Sequence, residues 1–168
     1  MKIFIIGYMG AGKSTVGRRL ANRLNIPFID LDDAFESKFR YSIHRFFDQF
    51  GETRFRELEH QCLLEVTSEN ENAVISTGGG TPCFHSNMEL MDAAGTTIYL
   101  KMHPGSLAHR LSKARKPRPV IRNIHNDDVQ TFIEQQLAER EKYYTRAHIT
   151  VKGEDLDMEK LVEAVMKR

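Results

Sequence analysis

The segment from Gly7 to Ser14 constrains this chain more than any other part of its sequence. It reads GYMGAGKS and matches the pattern G-x-x-x-x-G-K-[S/T] at every fixed position. Glycines let a backbone curve closely around an anion, and the N–H groups at the start of a following helix then point towards it. In such a loop the lysine reaches the terminal phosphates of a nucleotide, and the next hydroxyl is offered to Mg²⁺. The motif predicts triphosphate binding through Lys13 and Ser14.

The residues around this motif favour that interpretation over a chance glycine turn. The apolar run Ile3–Ile6 before it is typical of a strand buried on both faces. After it, Val16, Leu20 and Leu24 recur at four-residue spacing, as they would on one face of a helix. The order strand, glycine-rich loop and helix is the context that the phosphate-binding mechanism requires.

The remaining chain alternates between strand and helix patterns. This alternation predicts an α/β fold with a five-stranded parallel sheet, helices on both faces, and a ligand site beyond the carboxyl ends of the strands. No repeat or linker divides the sequence, so we expect one domain over residues 1–168. Further strands are expected at 27–30, 73–77, 97–102 and 149–151, and helices at 34–40, 43–50 up to a break at Gly51, 55–66, from 104, from about 127 to 144, and 158–166.

Composition excludes several classes of partner. The net charge is +1, which provides no overall field to recruit nucleic acid or a membrane surface, and no apolar run approaches the roughly 20 residues of a membrane span. The first predicted strand and the phosphate loop lie within the first 14 residues, so cleavage of a signal peptide would remove part of the motif, and none is expected. Cys62 and Cys83 lack metal-ligand spacing and are expected to be free thiols. These features predict a cytoplasmic protein.

Carboxylates follow the second predicted strand. Asp30 stands at its end, while the strand that ends at Thr77 supplies no carboxylate, so Asp30 is the candidate to orient Mg²⁺ through its water shell. Asp32 lies two residues further and would point the same way, where it could accept a proton or hydrogen bond from an acceptor hydroxyl. The alternative for Asp32, and the favoured role for Asp33, is to cap the next helix.

Three further features have a functional and a plain structural interpretation. Arg56 flanks the apolar face of its helix and could bind a carboxylate with two hydrogen bonds, although taken alone a solvated charge is more common there. The run Gly78–Gly80 indicates either a close approach to the backbone or a flexible turn. The cations from Arg110 to Arg122 could form a solvated face or a nucleic-acid patch, but a mobile lid at about 113–124 is the stronger interpretation.

Taken together, the motifs resemble those of the shikimate kinases, a family with the P-loop fold of the nucleoside-monophosphate-kinase-like group. The resemblance covers nearly the whole chain. It rests on the phosphate loop with Thr15, Asp30-x-Asp32, Ser42-Ile43, Gly51-Glu52-x-x-Phe55-Arg56-x-x-Glu59, Gly78–Gly80, Arg118-Pro119, and Arg140 with Tyr144.

This resemblance implies ATP-dependent phosphorylation of the 3-hydroxyl of shikimate in aromatic amino acid biosynthesis, by an enzyme that is expected, by analogy, to be a monomer. Lys13, Asp32 and Arg118 would be catalytic, with Ser14 and Asp30 serving the metal. Nucleotide contacts would come from Gly10, Ala11, Gly12, Lys13, Ser14, Thr15, Arg110 and Arg118. Shikimate contacts would come from Asp32, Phe47, Phe55, Arg56, Gly78, Gly79, Gly80 and Arg140.

Three alternatives remain open at this point. A kinase for another small polyol acid, such as gluconate, would use the same phosphate loop with a different acceptor pocket. A non-catalytic nucleotide-binding switch would leave Asp32, Arg56 and the triple glycine unexplained. A nucleic-acid-binding ATPase would depend on the cationic run alone, which has few interspersed aromatic residues.

Overall fold

The computed structural model describes residues 1–114, 121 and 123–168. Over these residues the strands form one parallel sheet in the order β2-β3-β1-β4-β5. The predicted five-stranded parallel sheet is therefore confirmed. The strands are β1 (Lys2–Ile6), β2 (Phe28–Asp30), β3 (Ala73–Ser76), β4 (Thr96–Lys101) and β5 (Ile149–Lys152).

Helices connect consecutive strands and cover the sheet. Helix α1 packs against β1, β2 and β3 and against α7, while α4 packs against β4. This is the predicted three-layer α/β/α arrangement. The helices within the described residues are α1 (Lys13–Leu24), α2 (Leu31–Phe39), α3 (Ile43–Glu69), α4 (Asn87–Ala94), α5 (Pro104–Ser112), α6 (Val129–Tyr144) and α7 (Met158–Met166).

Strand β1 lies at the centre of the sheet because its apolar residues can be buried on both faces. Ile3, Phe4, Ile5 and Ile6 have no exposed surface, and β1 pairs with β3 on one side and with β4 on the other. Parallel pairing brings the carboxyl ends of β1, β2 and β3 to one edge of the sheet. The phosphate loop, the start of α2 and the Gly78–Gly80 turn consequently lie close together.

Helix α3 is bent at Gly51, as the sequence predicted. Gly51 has φ 80° and ψ 171°, a backbone conformation that residues other than glycine rarely adopt. The bend divides α3 into a first arm, residues 43–50, and a second arm, residues 52–69. The first arm carries Phe47, and the second arm carries Phe55 and Arg56.

The prediction differs from the structure in three places. The short helix α4 and the 3₁₀ helix Thr81–Cys83 were not predicted, since each spans too few residues to show a clear period. Helix α2 begins at Leu31 rather than at residue 34, because Asp30 caps it. Most of the predicted lid, residues 115–120 and 122, lies outside the described residues. In the part of the chain that the structure describes, no helix is long and apolar enough to span a membrane.

Candidate active site

The phosphate loop surrounds a cavity of about 260 Å³ at the edge of the sheet. Gly12 is the N-cap of α1 with φ 94°, so the loop enters the helix through a conformation that favours glycine. Lys13 is buried, and its Nζ donates a hydrogen bond to the backbone oxygen of Tyr8 over 2.9 Å. Besides two carboxylates, the cavity is lined by the backbone of the loop, the Lys13 ammonium and the Arg110 guanidinium, which suit an anion.

Oxygen atoms suitable for a magnesium ion are gathered at one side of this cavity. The hydroxyl of Ser14 donates to Oδ2 of Asp30 over 2.5 Å, and the Oγ atoms of Ser14 and Ser76 lie 3.4 Å apart. A hard divalent cation prefers such hydroxyl and carboxylate ligands. The other oxygen of Asp30, Oδ1, accepts from the backbone N–H of Asp32 over 3.0 Å and caps α2. The capping role considered for Asp32 and Asp33 thus belongs to Asp30.

A second, smaller cavity of about 80 Å³ adjoins the first. The side chains of Phe47 and Phe55 form one wall, with ring centroids 4.6 Å apart. Arg56 and Arg140 contribute two cationic groups to the same cavity. The residues that line both cavities are Met9, Asp32, Gly78 and Gly79. Asp32 is the carboxylate among these four, so it lies where the two spaces meet.

Arg56 is held in a buried ion-pair network rather than in solvent. It is 6% exposed, and its Nη1 donates to Oε1 of Glu59 over 2.9 Å. Glu59 is 2% exposed, and its other oxygen accepts from the hydroxyl of Thr81 over 2.8 Å. On the other side, Nη2 and Nε of Arg56 contact Oε1 of Glu52, whose side chain is half exposed. The interpretation of Arg56 as a solvated charge is therefore wrong.

Arg140 reaches the second cavity from α6, and Tyr144 holds it there. Tyr144 is fully buried and hydrogen-bonds to Arg140, and its hydroxyl donates to the backbone oxygen of Gly79 over 2.5 Å. Burial alone would lower the pKa of Arg140, but its interactions with Tyr144, Cys83 and Tyr8 together outweigh that effect and leave the pKa above its ordinary value. Arg140 is thus a fixed positive charge.

The glycine run that ends β3 allows other groups to approach the backbone closely. A Cβ atom on Gly79 would lie 2.9 Å from the backbone nitrogen of Met9, in the phosphate loop. A Cβ atom on Gly80 would overlap the guanidinium of Arg56. The run is therefore a site of close contact, as one of the two sequence interpretations expected, and it joins the two cavities.

Comparison with known proteins identifies this arrangement. The sequence model described as shikimate kinase matches residues 9–168. The chain belongs to the shikimate kinase family. It is 44% identical to the shikimate kinase of Bacteroides thetaiotaomicron over 168 residues, which cover the whole chain and 95% of that relative.

Solved structures of shikimate kinases agree with the fold. A crystal structure of the B. thetaiotaomicron shikimate kinase superposes with a TM-score of 0.90, at 43% identity, covering 99% of this chain and 97% of that one. The shikimate kinase from Acinetobacter baumannii in complex with shikimate has a TM-score of 0.86, at 30% identity, covering 99% and 90%. A gluconokinase from Sinorhizobium meliloti, 14% identical with a TM-score of 0.53 and coverage of 99% and 89%, shares the fold alone.

The structure brings together most of the site residues that the resemblance to the shikimate kinase family implied. The phosphate cavity is lined by Gly10, Gly12, Lys13, Ser14, Thr15, Asp30, Asp32, Gly78, Gly79 and Arg110. The second cavity is lined by Asp32, Phe47, Phe55, Arg56, Gly78, Gly79, Gly80 and Arg140. Ala11 is buried and lines neither cavity. Arg118 lies outside the described residues. Which of these residues act in catalysis or binding stays a prediction.

Four residues that line the two cavities, Met9, Ile43, Glu59 and Thr77, were not among the predicted site residues. Glu59 was quoted only as part of a motif, although a carboxylate between Leu58 and Cys62 on a buried helix face is itself a signal that it has a buried partner. Met9 lines both cavities, but its type and position in the loop carry no chemical signal.

Proposed function

We propose that this member of the shikimate kinase family transfers the γ-phosphoryl group of ATP to the 3-hydroxyl of shikimate, giving shikimate 3-phosphate and ADP, through the residues of the two cavities. The observation that carries this assignment of the site is that the two cavities meet at Asp32. An anion-binding space on one side and a space with two arginines and a carboxylate on the other suit a triphosphate donor and an anionic polyol acceptor.

Arg56 and Arg140 are proposed to bind the carboxylate of shikimate. Glu59 is buried and keeps Arg56 in place, whereas Glu52 is half exposed and lies on the other side of the guanidinium. A substrate carboxylate can replace Glu52, because Glu52 can turn into solvent while Arg56 keeps its bond to Glu59. The rings of Phe47 and Phe55 would pack against the carbon skeleton.

Transfer requires an aligned hydroxyl and neutralised phosphate charge. The hydroxyl oxygen forms a bond to the γ-phosphorus, the bond between that phosphorus and the β–γ bridging oxygen breaks, and ADP leaves. Asp32 accepts the hydroxyl proton or a hydrogen bond from it, which directs the lone pair at phosphorus. Lys13 leaves the Tyr8 carbonyl oxygen for the phosphates and stabilises their charge during transfer.

Ser14 and Asp30 are proposed to serve a Mg²⁺ ion that arrives with ATP, Ser14 through its hydroxyl and Asp30 through water. The cation would neutralise charge on the β- and γ-phosphate oxygens when bound. Arg118 is proposed to add a further positive charge from a closing lid, by analogy with arginine fingers. We also propose a single-domain monomer that acts in the cytoplasm.

The acceptor is tested by measuring ADP release with shikimate, quinate and gluconate as the panel. We expect turnover with shikimate and little with gluconate, because a flat ring packs against the wall formed by Phe47 and Phe55 better than an open-chain acid does. ADP release that is as fast with gluconate would favour the polyol-acid alternative. Nucleotide binding without ADP release in the presence of any of these acceptors would favour a non-catalytic switch.

Replacing Arg56 should weaken the binding of shikimate and leave the binding of ATP unchanged. A charge-assisted pair contributes about 1.5–3 kcal/mol, so Arg56→Ala should weaken shikimate binding by about 10- to 150-fold. Calorimetric titration of each ligand measures both effects. Because Arg56→Ala also leaves the buried Glu59 without its cationic partner, Arg56→Lys is the matched variant that keeps a charge beside Glu59 but cannot bind a carboxylate with two hydrogen bonds. If ATP binding suffers as much as shikimate binding in either folded variant, the assignment of Arg56 is wrong.

Replacing Tyr144 by phenylalanine should raise the KM for shikimate by about tenfold and leave the KM for ATP unchanged. The substitution removes the hydroxyl that fixes Arg140 and the Gly79 oxygen, and a hydrogen bond to a charged group contributes about 1.5 kcal/mol or more. Steady-state kinetics with each substrate varied separately measure the split. Tyr143→Phe, on the next residue of α6, is the control and should change neither KM. A uniform loss of kcat with both KM values unchanged would argue against this positioning role.

A further inference from the structure

A third cavity, of about 580 Å³, lies away from the candidate active site. It is bounded by β4, by one face of α6, by the start of α5 and by the segment after β5. None of the residues that line it lines either of the other two cavities. Its volume falls in the range of about 300–1,000 Å³ that is typical of small-molecule sites.

The floor of this cavity is apolar. Met102 and Leu137 are buried, and Pro104 and Ala138 complete the apolar surface. Such a floor can bury a ring system, and methionine adapts well to aromatic ligands.

Tyr99 places a polar group in this apolar setting. It is 2% exposed, and β4 is paired on both edges, so its side chain is the part of the residue that reaches the cavity. Its ring packs on Tyr144, with centroids 5.1 Å apart. Its hydroxyl has no hydrogen-bond partner among residues 1–114, 121 and 123–168. Burial and the charge of Glu141 raise the pKa of Tyr99 to about 12, so the hydroxyl stays protonated and can both donate and accept. Because the hydroxyl is not fully enclosed, water or a ligand in the cavity can complete its hydrogen bonding.

The charged groups around the cavity favour a cation. Four carboxylates line it, against two lysines, and one of those lysines is already used: Nζ of Lys101 donates to Glu141 over 2.7 Å. Glu154 accepts from the backbone N–H of His103, which is a neutral donor and leaves the carboxylate charge in place. The ring of His103 accepts from the N–H of Gly105 at Nδ1, so it is engaged in capping α5. The carboxylates that remain beside Lys152 are Glu134, Glu154 and Asp155.

We propose that this cavity is a second small-molecule site, which binds an aromatic organic ammonium. The ring would lie on the floor formed by Met102 and Leu137, the Tyr99 hydroxyl would gain its missing partner, and the ammonium would face the carboxylates of α6 and of the segment after β5. This inference does not depend on which acceptor the active site phosphorylates.

Tryptamine, which carries an indole ring and an ammonium, is the probe. Titration of the isotope-labelled full chain should shift backbone resonances of β4, α6 and residues 152–155, with saturation in the low-millimolar range or below. Indole-3-propionate, which has the same ring and a negative charge, should bind at least tenfold more weakly. Equal affinities for the two probes, or no saturable shifts with tryptamine, would overturn the proposal.

Two variants and one competition test where the probe binds. Glu134→Lys should weaken tryptamine at least fivefold, whereas Glu139→Lys, on α6 but outside the cavity lining, should not. Ala138→Trp should fill the cavity and abolish the shifts, and because Ala138 is exposed the fold should survive. Neither Glu134→Lys nor Ala138→Trp should alter kcat. Saturating ADP should leave tryptamine binding intact; displacement of tryptamine by ADP would show that the cavity belongs to the nucleotide site and would refute a separate site.

Discussion

Replacing Lys13 by methionine is expected to lower kcat by about 10²–10³-fold or more, because removal of one charge-stabilising donor from a preorganised site has effects of that size. In the structure its ammonium is buried in the phosphate loop and bound to the Tyr8 oxygen, so it is already within the cavity that ATP would enter. Methionine keeps the unbranched side chain and removes the charge. Single-turnover measurements at saturating ATP and shikimate separate this effect on the transfer step from any effect on binding.

The matched control is Lys38→Met, which removes an exposed ammonium that pairs with Glu65 on the surface. It should leave kcat within about twofold of the unchanged enzyme, since exposed ion pairs contribute little. Both variants should keep a cooperative thermal transition. A folded Lys13→Met protein with a nearly normal kcat would contradict the proposed role of the phosphate loop.

Asparagine in place of Asp32 is expected to reduce kcat by about 10²–10⁴-fold, the range by which a positioned general base accelerates a reaction. Asparagine preserves the shape of the side chain but cannot take the hydroxyl proton. The helix should remain capped in this variant, because Asp30 rather than Asp32 caps α2. Steady-state kinetics together with a thermal melt therefore distinguish a loss of chemistry from a loss of structure.

Asp33→Asn provides the control for Asp32→Asn, since Asp33 lies in the same helical turn but is exposed and faces Arg18. It should leave turnover and melting temperature nearly unchanged. If Asp32→Asn lowers the melting temperature while turnover survives, Asp32 serves the stability of α2 and not the reaction.

The fold was predictable because local patterns and global architecture agree. The apolar residues of β1 could be buried on both faces only at the centre of a sheet. The glycine-rich loop requires a strand before it and a helix after it. Gly51 could be identified as a break because it interrupts an otherwise helical pattern. Helix α4 could not be predicted with the same reasoning, since eight residues give barely two turns in which to show a period.

The candidate site was less predictable from the residues alone. Arg56 taken by itself resembled a surface charge, and only the position of Glu59 one helical turn further, with Thr81 beyond it, shows why an arginine is buried there. The third cavity illustrates the same limit. Residues of β4, α5, α6 and the segment after β5 line it, and no single stretch of sequence carries a pattern that brings them together.

The bend at Gly51 divides α3 into two arms that contribute different groups to the second cavity. The second arm of α3 holds the charges that would anchor a carboxylate, while the first arm presents Ile43 and Phe47 to the same cavity. Among the described residues, no group from elsewhere in the chain lies within 4 Å of the position where a Gly51 Cβ would be, and the two arms contact each other instead through the rings of Phe46 and Phe47 on Phe55. The width of this cavity therefore depends on how these rings pack, whereas carboxylate anchoring depends on the ion pair between Arg56 and Glu59 on the second arm. Substitutions confined to residues 43–50 offer a direct route to redesign acceptor selectivity while the arginine anchor stays intact.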